Sequence, residues 1–471
     1  MEKIHQKSEE FDKENIYRLL IRYSLPATVG VAAFTVYNII DRIFIGHAIG
    51  PLALSGLTVT FPLFMVCIAI GMLFGIGGGT LISLRLGERK YTEAENILGN
   101  VFAMFIIGGI AVGILGLIFL EPILLFFGAT ETTLPYAASY MGLLLWFLPA
   151  DFLAMGTNSS LRAEGNPRIS MCILIVGALL NIILDYIFIF PLNMGIFGAA
   201  LATGLSKMMS AAWIITHFRI GKHRALTLHI KNLKPRLHLI QPMLAIGLSP
   251  FLIQLIASLS VALLNKQLLH YSGEVAIGAM GAVFSIMTLL NMPVWGLVQG
   301  SQPVIGFNYG AGNYKRVYHA LRACLLYAGG IGLAGLLICQ SFPVFLIGLF
   351  GRSDPQFIEI GSHGMRLFLC VLPIMNLNMI GIQFFQATGR PRYSIALNIL
   401  KNICCLIPAL FLLPKLIGLD GVWLAYPCCD LGAFIFVGAA LLRERRKLTE
   451  LQYTHRLRIA KSCFDSPANK I

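Results

Sequence analysis

The recurrence of apolar runs long enough to cross a bilayer constrains this chain more than any other feature. About 20 residues cover ~30 Å of hydrocarbon at 1.5 Å per residue. Twelve such runs are legible, at about 22–45, 52–84, 94–120, 136–158, 169–190, 196–218, 239–268, 275–306, 317–347, 360–385, 393–413 and 419–442. Of the 471 residues 57% are hydrophobic and only 12% charged, where a soluble domain carries roughly 25% charged residues. The expected fold is all-α, a polytopic membrane protein with twelve transmembrane helices.

Residues 1–15 are charged and polar and have no apolar core of a cleaved signal, so the first span is expected to direct insertion. A net charge of +14 could suggest nucleic acid. A polyanion, however, needs its basic contacts on one exposed surface, and here they are dealt out loop by loop, which excludes that class. The cysteine pairs Cys404-Cys405 and Cys428-Cys429 lie in apolar runs, with no C-x-x-C, and read as packing residues.

The distribution of Lys and Arg sets the expected orientation. One set of loops holds Arg85, Arg89 and Lys90, then Arg162 and Arg168, the segment from Arg219 to Arg236, then Lys315, Arg316 and Arg322, then Arg390 and Arg392, and both termini join it. The opposite loops offer little beyond Lys266, Arg352 and Lys415. Both termini are thus expected in the cytoplasm.

The chain also repeats itself at an offset of 223 to 224 residues. Leu86 to Tyr91 falls on Tyr309 to Tyr314, Phe147-Leu148-Pro149 on Val371-Leu372-Pro373, Arg162 to Arg168 on Gln386 to Arg392, and Gly195 and Gly198 on Gly418 and Gly421. Six spans per repeat is an even number, so both halves enter from the same side. The pattern is that of parallel-repeat secondary transporters, in which substrate sits between two bundles. The implied organisation is an N-terminal segment 1–21, a six-helix lobe 22–218, a basic linker 219–238, a second six-helix lobe 239–442 and a basic tail 443–471. No G-x-x-x-x-G-K-[ST] loop and no H-E-x-x-H pair is present. The chain is therefore not read as an enzyme and is assigned no cofactor; transport would draw on an ion gradient.

Candidate coupling residues concentrate in the first half. Asp41 sits within the first span, where an exposed charge costs at least ~2.5 to 3.5 kcal/mol near the bilayer centre. The plainer alternative places it at a helix end, with Arg42 reaching the headgroups. In the fifth span, Asn181 and Asp185 are spaced i, i+4 and share a helical face. Residue counts put Asp41 and Asp185 at one depth, and two like charges in a poorly solvated pocket need a proton or a cation between them. Thr203 could add an oxygen ligand, whereas Lys207 would compete by forming an ordinary buried ion pair.

Four stretches, D-R-I-F-I-G-H-A-I-G-P-L-A-L-S-G at 41–56, L-R-L-G-E-R-K-Y at 84–91, R-A-E-G-N-P-R at 162–168 and N-I-I-L-D-Y-I-F-I-F-P-L-N-M-G-I-F-G-A-A-L-A-T at 181–203, resemble the multidrug and toxic compound extrusion (MATE) transporters. The likeness is closest to the bacterial DinF-like and MepA-like branch and covers about residues 16–442. It implies two six-helix lobes and export of lipophilic, often cationic drugs in exchange for protons or sodium. The partners it implies are small organic cations and the lipid bilayer of a bacterial cell membrane, and the chain is expected to act as a monomer.

Carried onto this chain, the family's amino-lobe polar cluster falls on Tyr37, Asn38, Asp41, Tyr140, Asn158, Asn181, Asp185 and Thr203. Asp41 and Asp185 would carry the proton or sodium ion, with Asn181 and Thr203 as neutral ligands and Tyr37, Asn38, Tyr140 and Asn158 lining the cavity. The branch that binds sodium in the second lobe uses acids in spans seven and ten, whereas this chain has Gln254, Asn265, Asn376 and Asn378 there. That lobe instead carries Lys401 and Asp430, for which a neutralising ion pair is the simplest account. Pro26 is a hinge candidate in the first span. The glycines from Gly71 to Gly79 read as close helix packing. A flippase for a lipid-linked saccharide or peptidoglycan precursor is an alternative that would want a basic cavity, and a non-transporting receptor or scaffold is a second.

Overall fold

The computed structural model describes residues 10–222, 224–350 and 355–464, and every regular element among them is helical. Arg352, residues 1–9 and the last seven residues of the tail lie outside that description. Nine helical stretches are long and apolar enough to cross a membrane, and two bent pairs bring the number to eleven. The twelfth span is Gly195–Ile220, 26 residues whose apolar face is interrupted by Lys207 and several hydroxyls. The fold is thus the twelve-helix, two-bundle arrangement anticipated from the sequence.

In chain order the elements of the first half are α1 (Ile16–Ala48), α2 (Pro51–Gly87), α3 (Tyr91–Ile118), the short α4 (Leu120–Phe126), α5 (Leu134–Trp146), α6 (Leu148–Ala163), α7 (Pro167–Ile189) and α8 (Gly195–Ile220). The second half follows with α9 (Leu237–Gly310), α10 (Tyr314–Ser341), the short α11 (Pro343–Gly348), α12 (Pro355–Phe368), α13 (Leu372–Ala387), α14 (Pro391–Ile399), a π-helical stretch Leu400–Leu406, α15 (Ile407–Ile417) and α16 (Leu419–Phe464). Helical pairing runs through all 74 residues of α9, which straight would measure ~111 Å. Its stretches Leu237–Ser272 and Val275–Gly310 each suffice to cross a membrane, so α9 supplies spans seven and eight.

Contacts divide the chain into two compact units. The first holds Arg22–Ser83 and Lys90–Ser258; the second holds Leu84–Arg89, the chain from Leu259 onward and residues 10–21. These bounds differ from those read in the sequence at both termini and in the middle, where the first unit takes in the linker and runs to Ser258 while Leu84–Arg89 go with the second. Residues 10–21 do not stand apart: Phe11 stacks on Phe307 at 4.8 Å, and Arg316 donates to the carbonyls of Phe11 and Glu14, each at 2.7 Å. The tail after 442 continues as helix to Phe464 and joins the same unit through the ion pair Arg390–Glu444 at 2.5 Å. The linker is likewise fixed. Buried Glu164 accepts from the amides of Ala225 and Leu226 and pairs with His217, which holds residues 225–226 to the first unit.

The sequence repeat is, physically, a repeat of chain turns. Arg89 and Gly312, Gly165 and Gly389, and Gly195 and Gly418 all adopt positive φ, between 59° and 92°. At Gly165 and Gly389 a helix ends in the left-handed conformation that lacks a steric penalty only for glycine. There the amide of Asn166 reaches the carbonyl of Leu161, and that of Arg390 the carbonyl of Phe385. Proline then opens the next helix at Pro167 and Pro391, where its missing N–H is not needed. The Leu-Pro motifs mark the two bends, 64° between α5 and α6 and 50° between α12 and α13, because proline cannot donate into the preceding turn.

The Gly71–Gly79 run does pack closely. A Cβ at Gly75 would stand 2.7 Å from the carbonyl oxygen of Gly156 and 2.8 Å from its Cα, whereas one at Gly71 meets only Phe152 at 3.6 Å. Ser159 Oγ donates to Gly75 O at 2.5 Å across the same α2–α6 contact. Overpacking against backbone costs ~1 to 3 kcal/mol. Gly75→Val should therefore lower the thermal unfolding midpoint of the purified protein by several degrees, while Gly71→Ala leaves it near the parent value.

Candidate functional site

Asp41 lies seven residues inside the end of α1, not at its terminus, and is 5% exposed; Asp185 in α7 is 0% exposed. The helices carrying them meet. Ile45, one turn beyond Asp41, and Ile189, one turn beyond Asp185, belong to one apolar cluster with Leu57, Tyr140 and Ile196. Phe44 of α1 also packs on Phe190 at 5.6 Å. Equal four-residue offsets from a shared cluster place the two acids at the same level, and the cluster closes that level at the C-terminal ends of both helices. The alternative of a helix-end aspartate is set aside, although Arg42 beside it is exposed, over the ring of Phe61 at 5.7 Å.

Tyr140 of α5 lies within electrostatic reach of both acids. Its hydroxyl bonds the Asp41 carboxylate and also meets Thr203 of α8. Asn181 Nδ2 donates to Thr203 Oγ1 at 3.2 Å. The chain Asn181–Thr203–Tyr140–Asp41 therefore joins α7, α8, α5 and α1. Four acceptor oxygens in this cluster receive no hydrogen bond: Asp41 Oδ1, Asn181 Oδ1 and both carboxylate oxygens of Asp185. Each buried acceptor without a donor costs ~1 to 3 kcal/mol, and a partnerless carboxylate costs more. Such a set calls for a proton or a small cation. Among the described residues no group of three or more His, Cys, Asp or Glu converges as a metal site.

Tyr37, Asn38, Asp41, Tyr140 and Thr203 line one cavity. Its volume is ≈ 70 Å³, well below the ~300 to 1,000 Å³ of a pocket for a drug-sized ligand. Asn158 is not part of it. Its amide donates to Ala154 O at 2.5 Å and its oxygen accepts from Ser170 at 2.7 Å, so its hydrogen bonds are spent two helical turns from the cavity-lining Asp151. The grouping of Asn158 with the cavity is corrected accordingly.

Lys207 makes an ion pair, but not with either expected acid. Its Nζ lies 2.9 Å from Asp151 Oδ1, with the two side chains 13% and 15% exposed, and it also bonds Tyr37. Asp151 is a cavity residue that the sequence reading passed over. The signal was the acid two residues after Pro149, in the first turn of a helix restarted by that proline.

In the second unit Lys401 and Asp430 stand 2.5 Å apart, 17% and 2% exposed, and Asn378 Nδ2 donates to Asp430 Oδ1 at 2.9 Å. Lys401 projects from the π-helical stretch between α14 and α15. Pro26 lies within an unbroken α1.

A profile of the MatE family matches residues 26–187 and, a second time, 250–411. The chain belongs to the MatE family. Its two matches begin at 26 and 250, a displacement of 224 residues that agrees with the internal repeat. The multidrug export protein MepA of Staphylococcus aureus (strain MSSA476) is 29% identical over 443 residues, 92% of this chain and 96% of MepA. The Staphylococcus haemolyticus MepA is 28% identical over 412 residues, covering 88% and 90%. A MOP superfamily transporter from Pyrococcus furiosus superposes with a TM-score of 0.87 at 25% identity, covering 94% of this chain and 98% of that one. A multidrug resistance MATE family transporter in an outward-facing conformation matches with the same score, identity and coverage.

Breaking a buried pair by removing one partner costs ~3 to 5 kcal/mol, whereas replacing both with apolar groups is often close to neutral. Asp430→Leu should thus lower the unfolding midpoint strongly, and Lys401→Met/Asp430→Leu should recover most of the loss. Circular dichroism melts of the purified variants check this.

Proposed function

We propose that this MatE protein is a secondary multidrug exporter that extrudes lipophilic organic cations in antiport with protons or sodium. The MepA relatives and the MATE structural neighbours support the export reading. The ion-coupling reading rests on one observation, the cluster of four buried, donorless oxygens on Asp41, Asn181 and Asp185. A site that lacks only positive charge is what a coupling ion would complete. Of its residues Asp41 also lines the ≈ 70 Å³ cavity, whereas Asn181 and Asp185 lie outside that lining.

In this reading Asp41 and Asp185 carry the ion, Tyr140, Thr203 and Asn181 supply neutral oxygens, and Tyr37 and Asn38 complete the cavity wall. Ion binding cancels the repulsion between the acids and lets α1 and α7 change their contact. Pro26 is the hinge. It has no amide to offer the carbonyl of Arg22, and the helix passes from the second contact unit to the first between Ile21 and Arg22. The basic loops put both termini in the cytoplasm, and the two units act as the lobes of a monomer. The flippase alternative loses ground, because both lysines that could make a basic cavity, Lys207 and Lys401, are already paired with acids.

Proteoliposomes loaded with ethidium and energised once by a proton gradient and once by a sodium gradient test this proposal. Dye movement should follow one of the two gradients and fall to the empty-vesicle background in Asp41→Asn and Asp185→Asn, with reconstitution levels unchanged. Gradient-driven efflux at parent rates by either variant contradicts the coupling role.

A further inference from the structure

We propose that the Lys207 ammonium is a tethered competitor occupying the seat of the substrate's own positive charge, and that Asp151, with Phe34 and Tyr37, forms that seat. The inference rests on the export reading but not on the coupling role of Asp41 and Asp185.

The geometry around Lys207 Nζ is that of a bound organic cation. Asp151 supplies a carboxylate at 2.9 Å, the face of Phe34 lies 5.6 Å from the charge to ring centre, and the Tyr37 hydroxyl bonds the same ammonium. A carboxylate, a π face and a phenol are the groups that recognise ammonium ligands. Phe34 and Tyr37 hold each other edge to face at 5.3 Å, which fixes the aromatic wall. Lys207 and Asp151 both line the cavity, whose remaining walls include Phe61, Phe64 and Met141. Those apolar and aromatic side chains suit the body of a lipophilic cation.

The cavity size supports the same conclusion. Drug-sized ligands occupy ~300 to 1,000 Å³, several times the ≈ 70 Å³ present. A substrate must therefore enlarge the cavity and take over the acid that Lys207 holds. In a poorly hydrated site the pair has little to lose if the incoming cation replaces the ammonium at Asp151, since the carboxylate is never left bare. Lys207 thereby sets a threshold: a weakly basic or neutral compound cannot displace it, whereas a permanent lipophilic cation can.

Equilibrium dialysis of ethidium against purified protein in detergent, with no gradient, tests the proposal. Lys207→Met should lower the Kd at least tenfold, because Asp151 is then left without its competitor. Lys207→Met/Asp151→Asn should return the Kd to the parent value or above. Phe34→Leu should raise the Kd several-fold in the Lys207→Met background, where no tethered ammonium shares the loss of the π face. A folded Lys207→Met protein that binds no more tightly than the parent, or a double variant that keeps the gain, overturns the proposal. If Lys207→Met cannot be purified, Lys207→Gln takes its place, and an unchanged Kd overturns the proposal. Because no gradient is applied, this result is independent of whether Asp41 couples transport.

Discussion

A charge buried away from water must be neutralised nearby, and this structure is organised by how it meets that requirement. Internal pairs that meet it include Lys207 with Asp151, Lys401 with Asp430, Arg390 with Glu444 and His217 with Glu164. In each, one partner's burial depends on the charge of the other. Asp41 and Asp185 do not meet it. They are buried to 5% and 0% exposure, and neither has a cationic side chain in ion-pair contact among the described residues. The difference separates closed charge from charge left open for an exchangeable partner, and it is why the site falls in the first half of the chain.

The two halves share a backbone plan without sharing a charge plan. Positive-φ residues and helix-opening prolines recur at one spacing, so the turns and bends of the bundles are repeated. Lys207 and Asp430 occupy matching places with opposite charge, yet each finds an acid or base on a different neighbouring helix of its own unit. Turn geometry is set by a few local residues and survives duplication. Charge placement depends on which face meets which helix and can diverge.

Much of this was legible in the sequence for physical reasons. Apolar length marks a span whatever packs against it, and it holds for nine helices and two bent pairs, whereas Gly195–Ile220 with Lys207 inside falls short of that measure. The i, i+4 spacing puts Asn181 and Asp185 on one face of α7, and both are buried. The azimuth of one helix against another leaves no such trace, and for that reason the sequence shows that Lys207 can form a buried ion pair but not that its partner is Asp151. Asn158 was placed in the cavity by family likeness, although its amide is spent on Ala154 and Ser170. The π-helical stretch at Lys401 and the helical tail to Phe464 were illegible because both depend on tertiary contacts rather than on hydropathy.

The central claim is that the acids of α1 and α7 hold a proton or a cation because, among the described residues, the protein gives neither a cationic side chain in ion-pair contact. Infrared difference spectroscopy of the purified protein in sodium-free buffer near neutral pH tests this most directly. The account predicts a protonated carboxylic acid band that is lost in Asp185→Asn. Full ionisation of both aspartates under those conditions, with no protonated band in the parent, would contradict it.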